Sequence, residues 1–201
     1  MSISQKTASS QASFHTAGVD LGQKRDFSAI AVVEKKTGEV YLVHLKRFRL
    51  GTEYGSVIGY LKRLVERLPD LRRVLIDQTG VGEVFVEETR KSGLKNAHGI
   101  MLSLQAKQEV MVYLKQLMQN GQVHIPYDRD LINELNVERY ELMKTGQIKF
   151  SNPTGTHDDN LWAFALAVYA SRPEPPEYHP VALTGRTWKP HLPKPVGWPR
   201  S

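Results

Sequence analysis

The chain has 201 residues, no cysteine and a formal net charge of +6. Its length suits one domain with a substantial core, and the missing cysteines exclude a disulfide framework, a thiolate metal site and a thiol nucleophile, which is compatible with a cytoplasmic protein. The longest apolar run, at residues 161–170, is shorter than the ~20 residues of a membrane-spanning helix, and the N-terminus lacks the apolar core of a secretory signal, so we predict a soluble protein without a membrane partner.

Three predicted strands open the domain. Residues 16–21, 28–34 and 40–48 are rich in apolar and β-branched side chains, with the turn "KKTGE" before the third. Apolar residues then recur at helical spacing from Tyr54 to Leu68, and Pro69 ends this predicted helix.

Strands and helices alternate in the rest of the domain. The predicted elements are a strand at 72–78, a helix at 83–91, a strand at 96–102, a helix at 104–119, a short strand in "GQVHIP", a helix at 128–142, a strand in "GQIKFS" and a helix at 158–171. Three antiparallel strands followed by this alternation predict an α/β fold with a mixed central sheet, parallel in its later strands and flanked by helices.

Composition divides the chain into three predicted parts. Residues 1–14 are rich in Ser, Gln, Thr and Ala, which favours a flexible leader. Residues 172–201 hold eight of the eleven prolines, and five arginines and lysines against two glutamates, which predicts an extended basic tail that packs on its own domain or serves a partner. One domain is expected at 15–171.

Four aspartates lie at the ends of predicted apolar elements. Asp20 interrupts "AGVDLG", Asp77 ends "RVLID", and Asp158 and Asp159 begin the most apolar helix. Each has a structural alternative: a turn contact for Asp20, a helix cap for Asp77, or an N-cap for Asp158. Because α/β sheets place their sites at the carboxyl edge, three carboxylates converge if the last helix begins there.

A cluster of these aspartates would require a cation. Carboxylates held close together repel one another, and hard divalent cations with oxygen ligands relieve that repulsion. Without cysteine and with few histidines, the ligand set favours Mg²⁺ or Mn²⁺ over zinc. Two such ions can promote phosphodiester hydrolysis, and the positive net charge then favours a nucleic-acid substrate.

Four segments in this order resemble a known family: "GVDLGQKRDFSAIAVVE", "VLIDQTGVGEVFVEE", "LQAKQEVMVYLKQLMQNGQVHIP" and "GTHDDNLWAFALAVYA". They are similar to the C-terminal nuclease domain of the large terminase subunit of tailed viruses, in the RNase H-like superfamily that includes RuvC-type resolvases. The resemblance covers roughly 16–171 and implies an RNase H-like fold. It also implies that Asp20, Asp77 and Asp158 hold the catalytic metals, with Asp159 as a second acid and His157 as an auxiliary ligand or proton shuttle.

The chain departs from full terminases in one respect. They carry an N-terminal ATPase motor, and this sequence has no GxxxxGK[ST] phosphate loop. It is therefore expected to be a domain cut from a longer protein, a separately encoded nuclease or a remnant of a viral genome. The resemblance implies a separate motor chain, a small terminase subunit and a portal as partners, in the host cell cytoplasm.

Three cations are candidates for nucleic-acid contacts. Lys24 and Arg25 follow the first strand, where they either approach a phosphate or form a solvated turn. Lys107 lies in the first turn of its helix, where the helix dipole disfavours a cation unless an anion is bound nearby.

The leading hypothesis is a two-metal endonuclease that cuts double-stranded DNA. One alternative is a structure-selective nuclease with the same carboxylates, such as a Holliday-junction resolvase or a hydrolase of RNA:DNA hybrids. A second is an ATP-binding protein, since "GVDLG" also resembles the phosphate-binding strand of the actin and sugar-kinase fold, although Gln23 and Lys24 stand where that fold usually has Thr or Ser. A third is a weakly active DNA-gripping module.

Overall fold

The computed structural model describes residues 13–22, 26–79, 82–144, 146, 148–153 and 155–173. Its elements are β1 (Phe14–Asp20), β2 (Ala29–Lys36), β3 (Glu39–Arg47), α1 (Tyr54–Arg67), β4 (Leu71–Asp77), α2 (Gly82–Lys91), β5 (Ala97–Ile100), α3 (Leu104–Gln119), β6 (Val123–His124), α4 (Arg129–Val137), β7 (Arg139–Leu142), β8 (Ile148–Ser151) and α5 (Asp159–Ala170).

The main sheet has six strands in the order β5-β4-β1-β2-β3-β6. β1, β2 and β3 pair antiparallel, whereas β4 joins β1, and β5 joins β4, in parallel. This arrangement confirms the predicted mixed sheet, with its antiparallel strands first and its parallel strands later.

Helices cover both faces of the sheet and divide the core into two layers. Ala17 and Val19 of β1 face the layer that includes α1 and α2. The opposite layer contains α3, α4 and α5, and every residue of α5 is buried. Such complete burial explains why the sequence of α5 is apolar on all sides.

Helix α5 packs directly across β1, in the reverse direction. The Thr16 hydroxyl donates to the Ala167 carbonyl at 2.7 Å, and a Cβ on Gly18 would lie 2.1 Å from the Ala163 carbonyl oxygen. Only glycine permits this approach of helix and strand backbones. The N-terminus of α5 therefore lies at the carboxyl end of β1.

The predicted helix at 128–142 is wrong in its last third. Helix α4 ends at Val137, and β7 pairs with β8 in a two-stranded sheet, with Tyr140 opposite Phe150 and Leu142 opposite Ile148. Apolar residues at helical spacing end with α4, and cross-strand pairs stabilise the segment that follows. No helix in the described part of the chain is long and apolar enough to cross a membrane.

The ends of the predicted domain are only partly described. β1 begins at Phe14, one residue inside the predicted leader. Residues 1–12 of that leader, residues 174–201 of the predicted tail, and the candidate cations Lys24 and Arg25 lie outside the described residues.

Candidate metal centre

Two aspartates end neighbouring parallel strands. Val19 of β1 pairs with Ile76 of β4, so Asp20 and Asp77, the last residues of these strands, lie side by side. Side chains alternate along a strand. Asp20 therefore shares the α5 face with Gly18, and Asp77 shares it with Leu75, which packs in the same layer as α5.

The first turn of α5 brings two further aspartates to the same edge. Asp158 occupies the N-cap position but forms no side-chain capping bond; instead its Oδ2 accepts a hydrogen bond from Trp162 Nε1 at 3.0 Å. Asp159 is 5 % exposed, and its Oδ2 has no hydrogen-bond partner in the described structure. Asp158 is therefore the N-cap residue by position, as the structural alternative expected, but its carboxylate does not cap the helix. Asp77 Oδ1 accepts a hydrogen bond in a turn, from Thr79 N at 2.8 Å.

The electrostatics of the site show that the four carboxylates share one environment. Burial raises the pKa of Asp20 well above its ordinary value, and the charges of Asp159, Asp77 and Asp158 raise it further, in that order. Burial and then Asp158 raise the pKa of Asp159 to about 6. Mutual repulsion of this kind means that the positive charge nearby does not fully offset the four carboxylates.

Of the predicted cations, the described structure places Lys107 at this cluster. Its Nζ lies 4.8 Å from the centroid of the Trp162 ring, and its charge lowers the pKa values of Asp20 and Glu138. His157 also lies nearby, with Nδ1 at 3.8 Å from Asp159 Oδ2 and its ring edge-to-face with Phe27 at 4.8 Å between centroids.

Sequence reasoning missed Glu138, at the junction of α4 and β7. Both of its carboxylate oxygens are buried without a hydrogen-bond partner among the described residues. Burial raises its pKa to about 7, and the charge of Asp158 raises it as well. No spacing signal marks this residue, because it belongs to the segment that was predicted as continuous helix.

Glu134 was missed as well, although the sequence carries a signal for it. The Glu134 carboxylate accepts hydrogen bonds from Leu161 N at 2.8 Å and Asn160 Nδ2 at 2.9 Å, and so holds the first turn of α5. Arg47 Nη1 also donates to it at 3.2 Å. Glu134 lies one helical turn after Leu131, on the buried face of α4, where an acid requires partners.

The donor set fits a divalent cation. Within the described residues, no three His, Asp or Glu side chains are close enough to form a ready-made metal cage. The ligands available are nevertheless carboxylate oxygens, one of them Asp159 Oδ2, which has no hydrogen-bond partner among the described residues. The repulsion at Asp20 is what a bound cation would relieve. An all-oxygen donor set of this kind suits a hard divalent cation.

The metal-free protein is expected to become more stable as the pH falls from 8 to 5.5. Burial gives Asp159 a folded pKa of about 6 and Glu138 one of about 7, both above their unfolded values, so the folded state binds more protons in this window. Stability is thus greatest below the unfolded pKa values and declines as the pH rises through the folded ones; we expect a difference of about 2 kcal/mol. Urea denaturation in EDTA at the two pH values measures this difference. A free energy of unfolding that rises from pH 5.5 to pH 8 would contradict the prediction.

The fold and the site together define a class of protein. A mixed sheet whose first and fourth strands end in aspartates beside the acidic first turn of the last helix has the arrangement of an RNase H-like nuclease domain. The family model described as "Terminase RNaseH-like domain" matches residues 17–170. The chain belongs to this family, and the predicted resemblance and fold class are confirmed.

Individual relatives agree with this membership. The chain is 30 % identical over 150 residues to the large terminase subunit of Thermus virus P23-45, covering 75 % of this chain and 30 % of that protein. The large terminase nuclease of phage G20c, solved with bound magnesium, is 28 % identical with a TM-score of 0.69, covering 79 % of this chain and 82 % of the other. The same nuclease has been solved with cobalt and with zinc. The chain thus spans about a third of the length of the curated terminase subunits it matches.

Proposed function

We propose that this chain is a metal-dependent endonuclease that hydrolyses double-stranded DNA during viral genome packaging. The observation that carries the proposal is the meeting of Asp20, Asp77, Asp158 and Asp159 at one edge of the sheet, with Asp159 Oδ2 buried and without a hydrogen-bond partner in the described structure. The solved terminase nucleases with bound divalent metals support it.

In the proposed mechanism Asp20, Asp77 and Asp158 are the catalytic acids, and Asp159 is a further metal ligand. Together they would hold two Mg²⁺ or Mn²⁺ ions, which supply Lewis-acid stabilisation of the attacking and leaving oxygens in phosphodiester hydrolysis. α5 is buried along its whole length, so its first turn holds Asp158 and Asp159 rigidly at the strand ends.

Other side chains would orient the substrate and move protons. Lys107, beside the carboxylates, would contact the phosphate being cleaved, with Lys24 and Arg25 as further nucleic-acid contacts. His157 would hold or pass on a proton next to Asp159, or serve as an auxiliary ligand. Glu134 would position the acids indirectly. Its carboxylate accepts a hydrogen bond from the backbone amide of Leu161, which has no partner within the first turn of α5.

The wider setting of the domain is part of the same proposal. Residues 15–171 would form the nuclease domain, between a leader at 1–14 and a basic tail at 172–201. A motor chain, a small terminase subunit and a portal would be its partners in the cytoplasm of the host cell. Translocation would come from the motor chain.

Cleavage of supercoiled plasmid and of linear duplex DNA with Mg²⁺ or Mn²⁺ tests the activity directly. Competition between linear duplex, four-way junction and RNA:DNA hybrid distinguishes a terminase-type nuclease from a structure-selective one. Tight DNA binding without metal-dependent cleavage would instead identify a gripping module and would overturn the proposal.

Replacing Glu138 with glutamine is expected to weaken Mg²⁺ binding and to stabilise the metal-free protein at pH 8. The buried carboxylate of Glu138 adds negative charge beside Asp158, and a bound cation would offset that charge. Replacing a group that lies just outside the metal ligands typically lowers metal affinity by about 10–100-fold. Titration calorimetry with Mg²⁺ and urea denaturation in EDTA measure the two effects. Glu141→Gln, an exposed acid of β7, is the control, and equal Mg²⁺ affinity in both variants would refute the role of Glu138.

A further inference from the structure

A second charged feature lies at the opposite end of the sheet. A cavity of about 460 Å³ lies where the first residues of β1 and β4 meet the carboxyl end of α5. Among the described residues its charged lining consists of Lys35, Arg72, Arg73 and Arg172, without a carboxylate. β1 has seven residues, so at ~3.3 Å per residue this basic pocket lies ~20 Å from Asp20. The basic pocket is therefore separate from the carboxylate site.

Two of the four cations have structural roles at the end of α5. Lys35 Nζ donates to the Ser171 carbonyl at 3.2 Å, and Arg73 Nη1 donates to the Ala170 carbonyl at 3.2 Å. The last carbonyls of a helix lack helical partners and carry partial negative charge, so these bonds stabilise the helix end. These contacts with the end of α5 explain the positions of Lys35 and Arg73 without a bound ligand.

Arg72 and Arg172 are held differently. The guanidinium carbon of Arg172 lies 3.8 Å from the centroid of the Tyr169 ring, and that of Arg72 lies 4.2 Å from the centroid of Phe14. Neither forms an ion pair with a carboxylate of the described residues. A stacked guanidinium keeps the N–H groups at its edge available, and that planar fork matches the oxygens of a phosphate.

Two of the cations in the basic pocket also repel each other. Burial lowers the pKa of Arg73, and the neighbouring charge of Arg172 lowers it further, which reflects repulsion between the two cations. A bound anion would relieve that repulsion. The volume of the pocket lies within the ~300–1,000 Å³ of small-molecule sites, so it has room for more than a single ion.

We propose that the basic pocket binds a phosphate group, with Arg72 and Arg172 as its principal contacts. The phosphate belongs either to a free phosphate compound or to the backbone of a DNA duplex. The ~20 Å to the carboxylate site corresponds to about six base pairs at ~3.4 Å each, so one duplex is long enough to reach both. This site requires no metal and stands independently of the nuclease proposal.

Binding by the full-length chain in EDTA tests the proposal, because cleavage cannot interfere. The probes are inorganic phosphate and a duplex of about 20 base pairs, with backbone amide NMR shifts around Lys35 and Arg172 as the local readout. We expect saturable shifts for at least one probe, and at least ~10-fold weaker binding when Arg72→Gln and Arg172→Gln are combined. For the duplex, the slope of log affinity against log salt should also become shallower, by about 0.9 for each phosphate that the variant no longer neutralises.

Two further variants make the result decisive. Arg63→Gln removes a guanidinium that lies 5.7 Å from the Tyr60 ring centroid, outside the basic pocket, and should leave both affinities unchanged. Arg72→Lys combined with Arg172→Lys keeps the charge without the planar fork and should weaken binding less than the glutamine pair.

Each outcome bears on the proposal. Pocket shifts with inorganic phosphate identify a free phosphate compound as a ligand, and shifts with the duplex alone identify the DNA backbone; both support the site. The proposal is overturned if neither probe shifts the pocket amides of the wild type, or if a folded glutamine double variant binds both probes within about twofold of wild type.

Discussion

Asp159→Asn is expected to reduce metal-dependent cleavage of plasmid DNA by at least ~100-fold, because loss of a group that merely supports a metal ligand already costs ~10–100-fold. Asp159 is buried, its Oδ2 has no hydrogen-bond partner among the described residues, and among charged groups it contributes most to the raised pKa of Asp20. In the proposed mechanism its carboxylate is a direct ligand, so asparagine removes both a charge and a donor of the metal site.

The same substitution should make the metal-free protein more stable at pH 8. Burial and Asp158 raise the folded pKa of Asp159 to about 6, so the cost of its charge is present above that pH and disappears below the unfolded value. The pKa rises from 3.8 to about 6. Each unit corresponds to about 1.4 kcal/mol, so we expect a gain of about 3 kcal/mol in the free energy of unfolding. Urea denaturation in EDTA measures it. Loss of activity together with gain of stability separates a ligand from a structural residue.

Two matched variants complete the experiment. Glu66→Gln, an exposed acid on α1, should change neither property. Asp158→Asn keeps an oxygen that can accept the hydrogen bond from Trp162. Comparing its cleavage rate with that of Asp159→Asn shows which of the two acids contributes more to cleavage. Wild-type cleavage rates for Asp159→Asn, with either Mg²⁺ or Mn²⁺, would rule out the proposed metal site.

The positions of Asp20 and Asp77 could be predicted because strand geometry is local. Apolar and β-branched runs marked β1 and β4 as central strands, and an aspartate at the end of each pointed to the carboxyl edge. The acid pair at the start of α5 was also visible in the sequence. Its arrival at that edge depends on the direction in which α5 crosses β1, which the contacts of Thr16 and Gly18 determine.

The surroundings of the acids could not be predicted, because contacts between distant segments create them. Glu138 becomes buried only when the chain leaves α4 and forms the β7–β8 hairpin. That hairpin gains part of its stability from outside itself, since Phe150 packs against Trp162 at 6.2 Å between ring centroids and Gln108 accepts a bond from Ile148 N. Local propensity alone therefore favoured a longer helix.

Gly18→Ala is expected to lower both stability and nuclease activity, although it lies outside the carboxylate site. The new Cβ would lie 2.1 Å from the Ala163 carbonyl oxygen and 2.4 Å from Ala167 N, whereas ordinary contacts begin at 3.4 Å. The backbone of α5 must therefore move away from β1 by about an ångström. Overpacking of this kind costs about 3 kcal/mol in the free energy of unfolding.

The loss of activity follows from the same movement. α5 carries Asp158 and Asp159 in its first turn, so displacing it from β1 changes their distances to Asp20. A misplacement of ~1 Å at a catalytic site can cost ~100-fold in rate. Plasmid cleavage at a temperature where the variant remains folded measures this effect apart from the loss of stability.

Gly59→Ala provides a control of opposite sign. Gly59 lies inside α1, and a Cβ there meets nothing within 4 Å, so alanine should stabilise the protein by ~0.5–1 kcal/mol through its higher helix propensity. Its cleavage rate should remain that of the wild type. The contrary result is a Gly18→Ala variant that preserves both stability and cleavage. In that case close contact between α5 and β1 does not hold the acids of α5 beside those of the strands, and Glu134 and the surrounding helices position the acids of α5.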